Sequence, residues 1–246
     1  MSHAENQTGD LSGPADDPLV RWRPWPCESC GGSATALGFL VRSIGAGPEV
    51  RAAGRNEEID ERKRWEAECL LDWVRQCPHT LWTETHLPRL AEGSEHLVLF
   101  DEATTEVVKI TRPGLYGDYY EIIDGRISQF DNTPAEYLLR MRLWDKLFST
   151  ALHPLGITET GQIVSRQRFI RGEPPEQEEV DRFLTEAGLS AVRPSCWLWK
   201  KEGDDSLFDV WVGDARADNF VSAQGRIIPI DIRIWRVLSL ERLANI

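Results

Sequence analysis

Apolar and polar residues alternate along this chain in patterns that predict two long helices. From about Glu57 to Gln76, apolar side chains recur on one stripe, which predicts an amphipathic helix that packs on a core. Docking of this stripe onto a partner is the alternative. Pro78 is expected to end the helix. A second helical pattern follows Thr133, a suitable N-cap, and Glu136 completes a capping box.

Between and after these helices, shorter patterns predict β-hairpins and one further helix. Their turns are rich in Gly, Asp and Glu, as hairpin turns commonly are. The predicted hairpins cover Glu92 to Thr111, Tyr119 to Phe130, Trp197 to Val212 and Asn219 to Asp231, and the predicted third helix covers Glu176 to Ala187. The pattern favours an α+β fold with mostly antiparallel strands.

The stretch from Val212 to Ile232 carries the strongest candidate chemistry. A hairpin folded about Gln224 and Gly225 brings Asn219 and Asp231 together at its open end, with Asp214 just ahead of it. Two carboxylates and an amide are hard oxygen ligands of the kind that Mg²⁺ prefers. The alternative is that these residues only form turns, in which Asp and Asn are common.

Lys109 is the candidate partner of this site. It lies between Val108 and Ile110 in a predicted strand, where lysine is depleted, so its side chain points to solvent or into a cleft. Glu136 is open to two interpretations: it only caps its helix, or it holds Lys109 by an ion pair.

Six residues, taken in their order along the chain, resemble the usual pattern of the protein-kinase-like fold. They are Gly93, Lys109, Glu136, Asp214, Asn219 and Asp231. The phrases VVKIT, TPAEYLLRMRLWDKLF, IVSRQRFIRGEPP, VGDARADNF and IIPIDI are similar to the compact kinase domain in polyvalent proteins of phages and mobile elements. Aminoglycoside-type phosphotransferases are similar more distantly. The resemblance spans about residues 85 to 235.

The resemblance implies a two-lobed fold with a reduced C-terminal lobe. The expected organisation is a mostly flexible tail over 1–56, a helix on the small lobe over 57–84, the N-lobe over 85–170 and the reduced C-lobe over 171–246.

The resemblance also implies roles for particular residues, with ATP and Mg²⁺ as cofactors. Lys109 would contact the α- and β-phosphates, and Glu136 would brace it. Asp214 would accept the proton of an acceptor hydroxyl, in a protein or a small molecule, and Asn219 and Asp231 would bind Mg²⁺. The adenine edge would meet backbone groups of the connector that contains Gln167, Phe169 and Ile170.

Departures from the usual pattern leave other functions open. Only Gly93 stands where a loop of three glycines is usual, and Ile232-Arg233 replaces Phe-Gly after Asp231. A pseudokinase that binds nucleotide and serves as an interaction module is therefore one alternative. A structural adaptor, with Lys109 and Asp214 on its surface, is another.

Composition further limits the kinds of partner and the cellular location that we expect for the protein. A net charge of −12 disfavours binding to nucleic acid or anionic membranes, and 41% apolar residues with ten Trp predict a packed core. No apolar run suggests a membrane span, and five scattered Cys favour a cytoplasmic protein. Cys27 and Cys30 form half of a zinc-knuckle pattern without a second pair. His96 and His153 are expected to be core or surface histidines.

Overall fold

The structure, a computed structural model, describes residues 56–83, 86–123, 126–148, 152–193, 197–202 and 208–238. The expected tail over 1–56 lies outside the described residues except at its last position, and the Cys27 and Cys30 pair lies outside them altogether. No described helix is both long and apolar enough to cross a membrane.

The described residues form three α-helices, all at predicted places. They are α1 (Asn56–Gln76), α2 (Pro134–Phe148) and α3 (Gln177–Glu186). Two short 3₁₀ helices cover Pro78–Thr80 and Ala217–Asn219.

Thirteen strands are described, and every strand pairs antiparallel with its neighbours. They are β1 (Arg89–Glu92), β2 (His96–Asp101), β3 (Glu106–Thr111), β4 (Asp118–Ile123), β5 (Arg126–Asp131), β6 (Leu152–Ile157), β7 (Ile163–Arg168), β8 (Ser190–Arg193), β9 (Leu198–Lys201), β10 (Phe208–Gly213), β11 (Phe220–Ala223), β12 (Arg226–Pro229) and β13 (Arg233–Leu238). The predicted α+β class with mostly antiparallel strands is confirmed.

The strands form two larger sheets and two separate hairpins. One sheet has the order β1-β2-β3-β7-β6, with α2 inserted in sequence between its strands. The other has the order β13-β10-β9-β8. The hairpins are β4-β5 and β11-β12.

Helix α1 packs into the main core. Its residues Leu70 and Trp73 are buried with Met141 and Trp144 of α2, and Ile234 of β13 joins the same cluster. Core packing of the apolar stripe is therefore confirmed, and the alternative of docking onto a partner is wrong for these buried side chains. The helix ends at Gln76, two residues before Pro78, as predicted.

The start of α2 is fixed by the predicted capping box and by a residue of α1. Thr133 N donates to Glu136 Oε2 at 2.8 Å, and Glu136 N donates to Thr133 Oγ1 at 3.4 Å. Glu66 of α1, fully buried, accepts a hydrogen bond of 2.8 Å from Ala135 N. These bonds satisfy amide groups that a helix start otherwise leaves unpaired.

Strand β13 is the main element that the sequence patterns did not predict. It begins directly after Ile232 and pairs along its whole length with β10, with Gly213 opposite Arg233. Because the two strands are antiparallel, the chain that leaves β10 at Asp214 lies beside the chain that enters β13 at Ile232. The fold thereby brings two distant stretches of sequence to one end of this sheet.

Candidate functional site

Lys109 projects from the middle of β3 into the interior side of the molecule. Its side chain is 11% exposed, and its Nζ donates to Ile230 O at 2.6 Å. The same Nζ lies 3.6 Å from Asp231 Oδ1. The strand register places Lys109 between Val98 of β2 and Ser165 of β7. A solvated position for Lys109 is therefore wrong, and its side chain meets the Asp231 loop.

The β11-β12 hairpin forms as the sequence predicts. Gln224 and Gly225 have φ values of 52° and 73°, as a two-residue type I′ turn requires. At the open end, Asn219 O accepts from Ile230 N at 2.8 Å and from Asp231 N at 3.3 Å. The predicted closeness of Asn219 and Asp231 is confirmed.

Asp214 joins this group through Asn219. The Asn219 side-chain amide donates to Asp214 O at 2.8 Å, and Asp214 has a positive φ of 54°. Its carboxylate accepts a hydrogen bond of 3.0 Å from Arg216 Nε. Contacts therefore run from Asp214 through Asn219 to Asp231 and Lys109, which contradicts the separated arrangement that a purely structural adaptor required.

The expected ion pair between Glu136 and Lys109 is not found, and this prediction needs correction. The Glu136 carboxylate is used by the capping box at the start of α2, and burial raises its pKa, although the hydrogen bond from Thr133 opposes this. Among the described residues, the acidic partner of Lys109 is Asp231. The capping interpretation of Glu136 is the one that the geometry supports.

Arg140, one helical turn after Glu136, was missed by sequence reasoning. Its side chain is 5% exposed, and its two guanidinium nitrogens bind Glu95 Oε1 and Ile232 O, each at 2.7 Å. An arginine beside apolar helix residues looks like an exposed residue in sequence. The only available signal was its position four residues after Glu136, on the same face of α2.

The predicted nucleotide residues belong to the first sheet and to the segment that follows it. Gly93 is near the end of the sheet where His96 pairs with Thr111, and Gln167 is near the opposite end, where it pairs with Val107. Gly93 lies in the β1-β2 turn, where its N–H donates to His96 O at 2.9 Å. Gln167 is buried, and its Nε2 donates to Pro229 O at 3.4 Å. Phe169 N already donates to Thr105 O at 3.0 Å, so Phe169 can offer an adenine edge only its carbonyl. Ile170 follows, half-buried.

The donor set around Asp231 fits a hard divalent cation. Desolvation favours the neutral acid, but Lys109 and other neighbouring cations outweigh it, so the pKa of Asp231 lies below its ordinary value. The Asn219 amide nitrogen is bound to Asp214 O, which leaves its oxygen as the group for a ligand. No described cluster of three His, Cys, Asp or Glu side chains could hold a metal alone. A site completed by substrate phosphates matches the way proteins bind Mg²⁺.

His96 is a buried, neutral histidine next to this site, so of the two expected positions, core and surface, it occupies the core one. Its Nε2 lies 2.8 Å from the Tyr137 hydroxyl and 3.2 Å from Glu95 Oε1. Burial lowers its pKa from 6.5 to about 4, with Glu95 and Asp231 opposing and Lys109 and Arg140 adding to the shift.

We expect His96 to make the folded state less stable in acid. Since its folded pKa lies below the unfolded value, its contribution is complete above about pH 6.5 and is lost as pH falls towards 4. The loss should approach about 3 kcal/mol of unfolding free energy, at 1.4 kcal/mol for each pKa unit. Urea denaturation of the wild type and of His96→Gln at pH 7 and pH 4 measures it. An equal difference between the two proteins at both pH values would contradict the expectation.

Comparison with known proteins gives one match. The family model described as "Serine/Threonine/Tyrosine Kinase found in polyvalent proteins" matches residues 63–236, well over half of the 246 residues. No curated protein and no solved structure matches the chain.

Proposed function

The chain belongs to the serine/threonine/tyrosine kinases found in polyvalent proteins, and we propose that it transfers the γ-phosphoryl group of ATP to a hydroxyl acceptor in a Mg²⁺-dependent reaction. The main support is the contact of Lys109 in the first sheet with Asp231 after the β11-β12 hairpin, 3.6 Å apart. Phosphoryl transfer is catalysed mainly by positioning and by neutralising charge, so a cation and metal-binding oxygens are needed at one place.

In this proposal the two sheets belong to two lobes. The sheet β1-β2-β3-β7-β6 with α2 forms the small lobe and supplies Lys109 for the α- and β-phosphates. The second sheet and the β11-β12 hairpin form a reduced large lobe. The segment after β7, which holds Phe169 and Ile170, connects the two and offers backbone groups to adenine. A cytoplasmic location, where ATP is available, belongs to the same proposal.

Asp214 is the proposed proton acceptor. Its backbone is held by the Asn219 amide, and its carboxylate by Arg216, which is partly exposed. A carboxylate fixed in this way can orient a hydroxyl and take its proton as the phosphoryl group is transferred. Arg216 adds positive charge next to the same position, where charge develops on the transferring group.

Asn219 and Asp231 are the proposed Mg²⁺ ligands. A cation held there would neutralise charge on the β- and γ-phosphates. Asp231 contributes an ionised carboxylate and Asn219 its amide oxygen, while Lys109 keeps its own charge close to both.

A catalytically inactive nucleotide-binding module is the second candidate. It is favoured by the engagement of the Asp214 carboxylate with Arg216 and by the lone glycine, Gly93, in the β1-β2 turn. In this case ATP binds without turnover, and the acceptor question does not arise.

Calorimetric titration with ATP, with and without Mg²⁺, tests the binding part of the proposal. Wild-type protein should bind ATP more tightly with Mg²⁺, and Asp231→Asn should lose at least about tenfold of the Mg²⁺-dependent affinity, or 1.4 kcal/mol. Asp209→Asn removes the same charge from another carboxylate that pairs with a lysine, Lys200, and is the charge-matched control; Asp209 is buried, whereas the Asp231 side chain is 57% exposed. Equal ATP affinity with and without Mg²⁺ in the wild type would refute the metal site. Binding without transfer to any acceptor would favour the inactive module.

A further inference from the structure

Helix α2 presents a cation, and not a carboxylate, towards Ile230 to Ile232. This segment holds the proposed Mg²⁺ ligand Asp231 and is called the metal-binding loop below. Glu136 is committed to its capping box, while Arg140 on the next turn reaches Ile232 O with Nη2 at 2.7 Å. Ile232 directly follows Asp231, so α2 is hydrogen-bonded to the backbone one residue after a proposed Mg²⁺ ligand.

The other end of the same guanidinium binds the turn between β1 and β2. Arg140 Nη1 lies 2.7 Å from Glu95 Oε1, and both side chains are largely buried, at 5% and 15% exposure. Glu95 follows Gly93 by two residues, and its backbone oxygen accepts a hydrogen bond of 2.9 Å from Arg112 N. One guanidinium therefore ties three segments together: the glycine turn, α2 and the loop after Asp231.

We propose that Arg140 is a positioning residue, which with Glu95 fixes the metal-binding loop relative to the glycine turn. This inference rests on the proposed function for its catalytic meaning, but its structural part stands independently. The proposal gives Arg140 no contact with substrate. It acts through the Ile232 carbonyl and through Glu95.

The chemistry of the pair favours positioning over stability. A buried ion pair gains little net stability over well-packed apolar side chains, because desolvation offsets the attraction. The arginine instead fixes the relative orientation of its two acceptors, because its planar guanidinium donates to both at fixed angles, which a lysine cannot do. The carbonyl that it fixes belongs to a loop whose amides, at Ile230 and Asp231, both donate to Asn219 O.

Amide hydrogen exchange on nucleotide-free protein tests this directly. The variant Arg140→Met with Glu95→Gln removes both charges together, so no unpaired buried charge remains. We expect the variant to fold with a moderately lower melting temperature, because the buried Ile232 carbonyl loses its donor, while exchange at the Ile230 and Asp231 amides rises at least tenfold. Arg140→Lys with Glu95 intact should restore the ion pair but not the protection. Unchanged exchange in the folded double variant would overturn the proposal.

Two glycines offer a matched pair of probes. Gly117 and Gly114 have φ values of +76° and +71°, so alanine brings similar backbone strain at both. A Cβ at Gly117 would lie 2.8 Å from Arg140 Nη1 and 2.8 Å from Glu95 Oε2, whereas at Gly114 it would meet nothing within 4 Å. Gly117→Ala should raise exchange at Ile230 and Asp231, and Gly114→Ala should not. Equal exchange in the two variants would count against the role of the pair.

Nucleotide binding separates this inference from the proposed function. If wild-type protein binds MgATP, the double variant should show a higher Kd for MgATP with an unchanged Kd for ATP alone. Loss of protection without that change would confine Arg140 to a structural role and overturn the positioning claim. If the wild type binds no MgATP, the proposed function fails, while the exchange measurements still decide whether Arg140 holds the loop.

Discussion

Asp214→Asn is expected to lower the rate of phosphoryl transfer by about 10²–10⁴-fold, the usual contribution of a positioned general base. Asn tolerates the left-handed conformation that Asp214 adopts at φ 54°, and it has the same shape. The backbone contact with Asn219 involves the Asp214 carbonyl oxygen, which the substitution leaves in place. The melting temperature and the affinity for MgATP should therefore remain close to those of the wild type, and a radioactive-phosphate transfer assay measures the loss.

Asp218→Asn is the matched control for this experiment. Asp218 lies in the 3₁₀ helix that follows Asp214 and also contacts Arg216, at 3.4 Å, but its side chain is 64% exposed. Removing its charge should leave the transfer rate within about twofold, because exposed ion pairs contribute little. Equal losses in the two variants would assign the effect to the charge around Arg216. Full activity of Asp214→Asn would remove Asp214 from the mechanism.

Local patterns predicted the parts of the site that depend on local chemistry. The hairpin turn follows from Gly225, which suits positive φ, between two apolar runs, and the hairpin brings Asn219 to Asp231. Gln224 also adopts a positive φ, which its residue type does not predict. The start of α2 at Thr133 follows from its capping box. In each case the residues that determine the structure lie within about a dozen positions of one another.

Local patterns could not predict which strands pair when they lie far apart in sequence. Strand β13 forms because its side chains complete the core beside α2 and because β10 offers an open edge, and neither fact appears in its own short sequence. The register of Gly213 with Arg233 then decides which end of the sheet holds Asp214.

The ion pair predicted between Glu136 and Lys109 was wrong for a related reason. Glu136 had two possible partners in sequence, a local amide and a distant lysine, and the local capping bonds are the ones formed. Lys109 pairs instead with Asp231, and Arg140 with Glu95. Pattern gives the sign and spacing of charges along a helix, but the choice among distant partners depends on the packed structure.

Lys109→Met should weaken ATP binding by about 10- to 100-fold. A charge-assisted hydrogen bond to phosphate contributes about 1.5–3 kcal/mol, and methionine keeps the length of the side chain without the charge. The substitution also removes the bond from Nζ to Ile230 O and the ion pair with Asp231, so a loss of about 1–2 kcal/mol in unfolding free energy is expected. Calorimetric titration with MgATP measures the first effect and urea denaturation the second.

Lys200→Met separates a specific role of Lys109 from a general loss of charge. Lys200 also lies in a strand, β9, and pairs with a carboxylate, Asp209, at 3.3 Å, but in the second sheet. Both substitutions change the net charge equally, so any long-range electrostatic effect on a polyanionic ligand is matched. Only Lys109 lies against the Asp231 loop, and only its loss should reduce ATP affinity beyond twofold. If Lys109→Met binds MgATP as tightly as the wild type, Lys109 contacts no phosphate, and its ion pair with Asp231 serves the fold alone.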